Sequence, residues 1–208
     1  MTPRRYLRNG IAAAVAVVTM TIVLGGCGDD EPAPFAGFER SPAPVVADLS
    51  LPSVEADGSE SEFSFAANEG DILLVYFGYT SCPDVCPTTL SDVRRAADRI
   101  GDDRARIDLA MITIDPDVDT PDVLSGYVRS FLPEATAVRT TDDARLRAVA
   151  DVFGADYGAL AGDGERQVYH TGSLYAVGSS GELLLTWPFG VPVDDLERDL
   201  SRLLDEAV

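Results

Sequence analysis

Two of the chain's three cysteines stand in the stretch Phe77-Gly78-Tyr79-Thr80-Ser81-Cys82-Pro83-Asp84-Val85-Cys86-Pro87. The Cys-x-x-x-Cys spacing is one residue wider than the Cys-x-x-Cys of dithiol redox motifs. A thiolate is both a nucleophile and a metal ligand, so the pair could exchange a disulfide or hold a metal. The prolines fit a loop that turns into the first turn of a helix. A helix N-terminus carries roughly half a positive charge, which favours the thiolate. At i and i+4 on a helix, Cβ atoms sit about 5–6 Å apart, whereas a disulfide prefers about 3.5–4.5 Å. Two sulfurs bonded to one metal at about 2.3 Å stand roughly 4 Å apart. The spacing leans toward a metal, and a Cys82 lying in the loop leaves the disulfide open.

Two thiolates select a soft metal such as Cu(I), zinc or cluster iron. The chain has a single histidine, His170, in the run Val168-Tyr169-His170-Thr171-Gly172. A Cys, Cys, His set falls short of the four ligands of structural zinc and of the four cysteines of iron–sulfur clusters. Nothing in the sequence resembles the general base and pocket of a catalytic zinc site. Copper suits these donors best. Asp115, before Pro116, reads either as a turn carboxylate or as an acid beside the metal or on a docking surface. Tyr79 and Trp187-Pro188-Phe189 read as core or rim packing, and Arg94 and Arg95 as a solvated helix face.

The elements around these residues can be read from apolar patterning. Residues 45–51 and 62–66 fit short strands flanking the turn Asp57-Gly58. Residues 72–77 are a continuous apolar run, as in a strand buried on both faces. Leu90, Val93, Ala97 and Ile100 mark one helix face, and Gly101 ends that helix. Residues 107–114 form a second buried strand. Thr120 and Pro121 fit the N-cap and first residue of a helix through about Phe131. Residues 143–153 form another helix, and residues 167–177 and 182–187 two strands. Residues 193–206 form a last helix that buries Leu196, Leu200 and Leu203 or Leu204. Strands alternating with helices predict an α/β fold whose central sheet is mainly parallel, with helices on both faces. The closing hairpin and helix match a thioredoxin-like architecture. In such sheets sites lie beyond the carboxyl ends of the strands, which puts Cys82, Cys86 and Asp115 at one edge. In thioredoxin-like folds the loop before the closing hairpin passes the active-site cysteines, and His170 occupies about that place.

Charge and the amino terminus bound the setting. There are 35 acidic residues against 16 basic ones, all Arg, for a net charge of −19. That balance argues against nucleic acid as a partner and against direct binding to anionic lipid. Arg4, Arg5 and Arg8 precede the uncharged run from Ile11 to Leu24. The run is short of the roughly 20 residues that span a bilayer and fits the h-region of a secretory signal. Leu24-Gly25-Gly26-Cys27 resembles the lipobox of a bacterial lipoprotein. That resemblance implies cleavage of residues 1–26, lipid on Cys27 and a position on the extracytoplasmic face of the cell membrane. Arg4-Arg5 is a weak match to a twin-arginine signal. Residues 27–44, Pro-rich and without period, read as a flexible tether, and residues 45–208 as the domain.

The proline-bracketed cysteines after Phe-Gly-Tyr-Thr, the later run from Thr113-Ile114-Asp115-Pro116 to Thr120-Pro121, and His170 before Leu174-Tyr175 together resemble the Sco/SenC family. Its members are thioredoxin-fold copper chaperones for the copper centre of cytochrome c oxidase. The resemblance implies that Cys82, Cys86 and His170 bind one copper, as Cu(I), Cu(II) or both. It implies delivery to the oxidase subunit carrying the CuA site, or exchange with another copper donor or acceptor. Many members carry Asp directly before the histidine and at the end of the following strand, where this chain has Tyr169 and Gly178. A copper chaperone is a binding module without turnover. The alternative is an enzyme, a thiol–disulfide oxidoreductase that keeps the oxidase's copper-site cysteines reduced through a reversible Cys82–Cys86 disulfide. A peroxidase reading fits less well, because Thr80 stands one residue too near Cys82 for the Thr-x-x-Cys of peroxiredoxins.

Overall fold

The computed structural model describes residues 33–161 and 166–207. The expected signal segment 1–26 and the expected lipidation site Cys27 lie outside the described residues. Among the described residues nine strands and four helices follow in the order β1 Ser50–Val54, β2 Glu60–Ser64, β3 Ile72–Gly78, α1 Val85–Ile100, β4 Ile107–Thr113, α2 Pro121–Arg129, β5 Thr136–Val138, α3 Asp143–Phe153, β6 Tyr157–Ala161, β7 Arg166–His170, β8 Leu174–Val177, β9 Leu183–Trp187 and α4 Val193–Glu206. A 3-10 turn, Gly101–Arg106, joins α1 to β4.

Seven strands form one sheet in the order β2-β1-β5-β4-β3-β8-β9, and β6 and β7 form a separate hairpin. The β5-β4-β3 centre is parallel, and antiparallel strands flank it on both sides. Alternation along the central strands explains their unbroken apolar runs. Ile72, Leu74 and Tyr76 of β3 face the core under α1, α2 and α4. Leu73, Val75 and Phe77 face the opposite core, under α3. Both faces are covered, so neither can be polar.

Several expected boundaries move. The first strand begins at Ser50, and Val45 makes only an isolated bridge to Glu182. The strand expected over residues 167–177 is two strands that pair with different partners, β7 with β6 and β8 with β3 and β9. The short β5 and the strand β6 were not expected. Thr120 does precede α2, but its hydroxyl donates to Asp122 and no side-chain bond caps that helix. The flexible tether expected through residue 44 is bound to the domain well before its end. Ala36 and Gly37 donate to Asp199, Phe38 exchanges two hydrogen bonds with Thr186, and the Pro44 carbonyl accepts from Leu183. This segment covers the outer edge of β9, so the compact unit begins at Pro34. Among the described residues no helix is long and apolar enough to cross a membrane.

Candidate metal centre

β3 ends at Gly78, and six residues carry the chain to the start of α1 at Val85. Cys82 lies in that loop and Cys86 in the first helical turn, so the pair is not a true i, i+4 pair on one helix. No side chain caps α1 at Asp84. Instead the Cys86 N–H, one of the free amides at the helix start, points at the Cys82 sulfur at 3.4 Å. The Cys86 sulfur lies 3.4 Å from Nε2 of His170. The two sulfurs and one imidazole nitrogen all fall within 4.8 Å of one another.

That arrangement can be tested against a metal. Bonds of about 2.3 Å in a trigonal plane place ligand atoms about 4 Å apart. The observed separations need only small adjustments to reach it. Two soft sulfurs with one imidazole suit Cu(I), and the imidazole suits Cu(II) as well. The donor set therefore fits copper.

The surroundings decide the charge state of the donors. Cys86 is fully buried. Burial pushes its thiol up to about 12, against a smaller opposing effect from the Tyr79 backbone. The helix N-terminus was expected to favour a thiolate, and at Cys86 burial outweighs it. The His170 imidazole is held below its ordinary value, again mainly by burial, with the Thr171 and Phe77 carbonyls working the other way. It is therefore neutral near pH 7, as a ligand must be. Tyr76 and Tyr79 meet the ring edge to face, with centroids 6.0 and 5.8 Å away. The Tyr76 hydroxyl is buried beside Cys86 and makes no hydrogen bond of ordinary geometry. Burial and the neighbouring thiol raise its ionisation well above the usual range.

Gly78 lets these groups approach. A Cβ there would lie 2.8 Å from Tyr76 Cε1 and 2.9 Å from Cys86 Sγ. Asp119 fixes the loop from the other side. It is fully buried, and its carboxylate accepts from the Thr80 amide, the Thr80 hydroxyl and the Thr113 hydroxyl. Sequence reasoning singled out Asp115 instead. Asp115 is buried too, but it is not among the three clustered donors. It lines an adjoining cleft of about 530 Å³ with Tyr79, Ser81, Val118, Gln167 and Val168. Trp187 is fully buried and donates to Asp199, a core position, while Phe189 is exposed near the rim.

Residues 54–205 match the family described as SCO1/SenC. A relative from Stutzerimonas stutzeri, named for copper binding, is 32% identical over 158 residues, which is 74% of this chain and 77% of that one. The structure of Bradyrhizobium japonicum ScoI with copper bound superposes with a TM-score of 0.61 at 25% identity, over 74% of this chain and 96% of that one. Apo Sco1 from Thermus thermophilus gives 0.68 at 29% identity, over 82% and 97%. BsSco, described as a member of the Sco family of cytochrome c oxidase assembly proteins with a disulfide switch, gives 0.58 at 18% identity, over 79% and 94%.

Proposed function

Because the chain belongs to the SCO1/SenC family, we propose that it is a copper-delivery protein whose acceptor is the CuA site of cytochrome c oxidase. Copper is its cargo, held one ion per domain by Cys82, Cys86 and His170. The observation that carries this reading is the meeting of two sulfurs and one imidazole nitrogen within 4.8 Å. Two of these donors come from the β3–α1 loop and helix start, and the third from the end of β7, 84 residues beyond Cys86. Three protein donors, without a fourth among the described residues, leave the cargo open to a ligand from an acceptor. The net charge of −19 suits an electropositive docking face on that acceptor. The pattern of residues 1–27 supports a lipoprotein held at Cys27 on the extracytoplasmic face of the membrane.

The same thiols support a second reading, a thiol–disulfide oxidoreductase, because Cys82 and Cys86 are both free and adjacent. Burial counts against Cys86 as the attacking group, since its thiol stays protonated far above neutral pH. Copper analysis decides between the two. The wild type is expected to bind one Cu(I), and Cys82→Ser, Cys86→Ser and His170→Ala each to lose affinity. Unchanged affinity in all three variants would sink the copper reading. Oxidase-assembly activity that survives His170→Ala would move the function to the thiols alone.

A further inference from the structure

A histidine can serve a metal only if it presents a bare nitrogen, and the bond made by its other nitrogen decides which one is bare. His170 Nδ1 lies 3.2 Å from the Thr171 carbonyl oxygen, while Nε2 faces the Cys86 sulfur. A carbonyl only accepts, so the bond requires the proton on Nδ1 and leaves the Nε2 lone pair aimed at the thiols.

The β6–β7 ladder explains why that carbonyl is available. Tyr157 pairs with His170 in this hairpin, so Asp156 and Thr171 form the next pair toward its open end. The Thr171 N–H donates to the Asp156 carbonyl at 2.7 Å. In a regular antiparallel ladder such a pair exchanges two bonds, and the Asp156 N–H would return to the Thr171 carbonyl. Here the Asp156 N–H goes to the Thr171 hydroxyl instead, at 2.9 Å. The side chain has taken over the ladder bond, and the backbone carbonyl is free to turn to the imidazole.

We propose that Thr171 is a positioning residue for the metal centre: its hydroxyl replaces its own carbonyl in the β6–β7 ladder, and the freed carbonyl holds His170 in the Nδ1–H tautomer with Nε2 toward Cys82 and Cys86. The flanking rings of Tyr76 and Tyr79 limit tilting of the imidazole but do not tell its two nitrogens apart. The bond from Nδ1 to the Thr171 carbonyl does, beside a smaller effect of the Phe77 carbonyl on the same ring. A residue without a hydroxyl at this position returns the Asp156 N–H to the backbone carbonyl. The imidazole then loses the partner that selects its tautomer. Serine keeps the hydroxyl and should keep the lock.

The role of the lock in metal binding rests on the copper reading, but the tautomer belongs to the metal-free protein and can be measured without copper. The chain has one histidine, so nitrogen NMR of the imidazole at mildly alkaline pH reports His170 alone. Wild type and Thr171→Ser are expected to show a protonated Nδ1 and a bare Nε2. Thr171→Val is expected to show a mixture of tautomers and to bind Cu(I) roughly tenfold more weakly, the usual loss when the partner of a metal-bound histidine is removed. A protonated Nε2 in the wild type overturns the proposal, whether or not the valine variant folds. So does a valine variant that folds with unchanged tautomer and affinity. A wild type with the expected tautomer that binds no copper would instead overturn the copper reading and leave the lock standing.

Discussion

The carboxylate of Asp119 accepts hydrogen bonds from both the amide and the hydroxyl of Thr80, at 3.1 and 2.5 Å. Thr80 stands two residues before Cys82, so this buried acid sets the path of the thiol-bearing loop. A third donor, the Thr113 hydroxyl, ties the same carboxylate to the end of β4. Asp119→Ala leaves the part-buried Thr80 amide and the buried Thr113 hydroxyl without their shared acceptor. Such an orphaned group costs about 1–3 kcal/mol. The variant is expected to unfold at lower denaturant and to bind Cu(I) more weakly. Urea midpoints and a Cu(I) competition titration check the two effects. Wild-type values in both would show that the loop is held elsewhere.

Gly78 gives a second, steric test of the centre. A methyl group there would stand 2.9 Å from Cys86 Sγ, 2.8 Å from Tyr76 Cε1 and 3.1 Å from the Met111 terminal methyl. All three atoms belong to fully buried side chains of one core. Overpacking of this kind costs about 1–3 kcal/mol. Gly78→Ala is expected to lower stability within that range and to displace Cys86 from His170, lowering copper affinity. Calorimetry with the same titration measures both. An alanine variant that binds copper as tightly as wild type would show that the thiol has room to move.

Much of this architecture could be read in advance, and what escaped did so for physical reasons. The runs of β3 and β4 are continuous because both faces of those strands are buried, and the amphipathic faces of α3 and α4 are regular. β5 is only three residues, Thr136–Val138, too short for any period to show. The β6–β7 hairpin lies outside the main sheet with Leu160 and Tyr169 exposed, so its alternation does not mark a core face. The β-rich run after Gln167 hid the break at Thr171–Ser173, where Gly172 packs against Val85 at the start of α1. At the centre, the spacing of the cysteines and the solitary histidine could be read from sequence. Asp119 could not, because its partner Thr80 is 39 residues away and meets it only once β3 and β4 lie side by side.

The raised Cys86 thiol makes stability depend on pH in a definite direction. The thiol of the unfolded chain ionises near its ordinary value of 9.0, while the native one keeps its proton up to about 12. Between these values the unfolded state holds fewer protons than the native state, so unfolding becomes easier as pH rises. This contribution is fully present below 9 and is lost on the way up, at no more than about 1.4 kcal/mol per pH unit. Cys86→Ala lacks it, whereas the tyrosines titrate in both proteins. The stability of wild type relative to Cys86→Ala, from urea midpoints in metal-free protein, is therefore expected to fall as pH rises above 9. A constant difference would mean that the native thiol ionises as freely as the unfolded one.

The amino-terminal segment is expected to be part of the fold rather than a free leash. Asp199, 1% exposed, accepts from the Ala36 amide at 2.8 Å, the Gly37 amide at 3.0 Å and Trp187 Nε1 at 2.9 Å, and pairs with Arg198. Beyond it, Phe38 and Thr186 exchange two backbone bonds, and the Pro44 carbonyl accepts from Leu183. A protein that begins at Val45 loses two of the donors to Asp199 and uncovers the edge of β9. At about 1 kcal/mol net for each lost hydrogen bond, it is expected to be less stable by several kcal/mol than one beginning at Pro34. Its bare edge strand offers a template for pairing between copies. Sedimentation is therefore expected to show association that grows with concentration in the shorter protein and not in the longer one. Equal urea midpoints and two monodisperse monomers would show that residues 34–44 contribute nothing to the fold. In the longer protein Asp199→Asn separates the two effects. It replaces one acceptor oxygen of the carboxylate by a donor, so stability falls while the backbone pairing of Phe38 still covers β9.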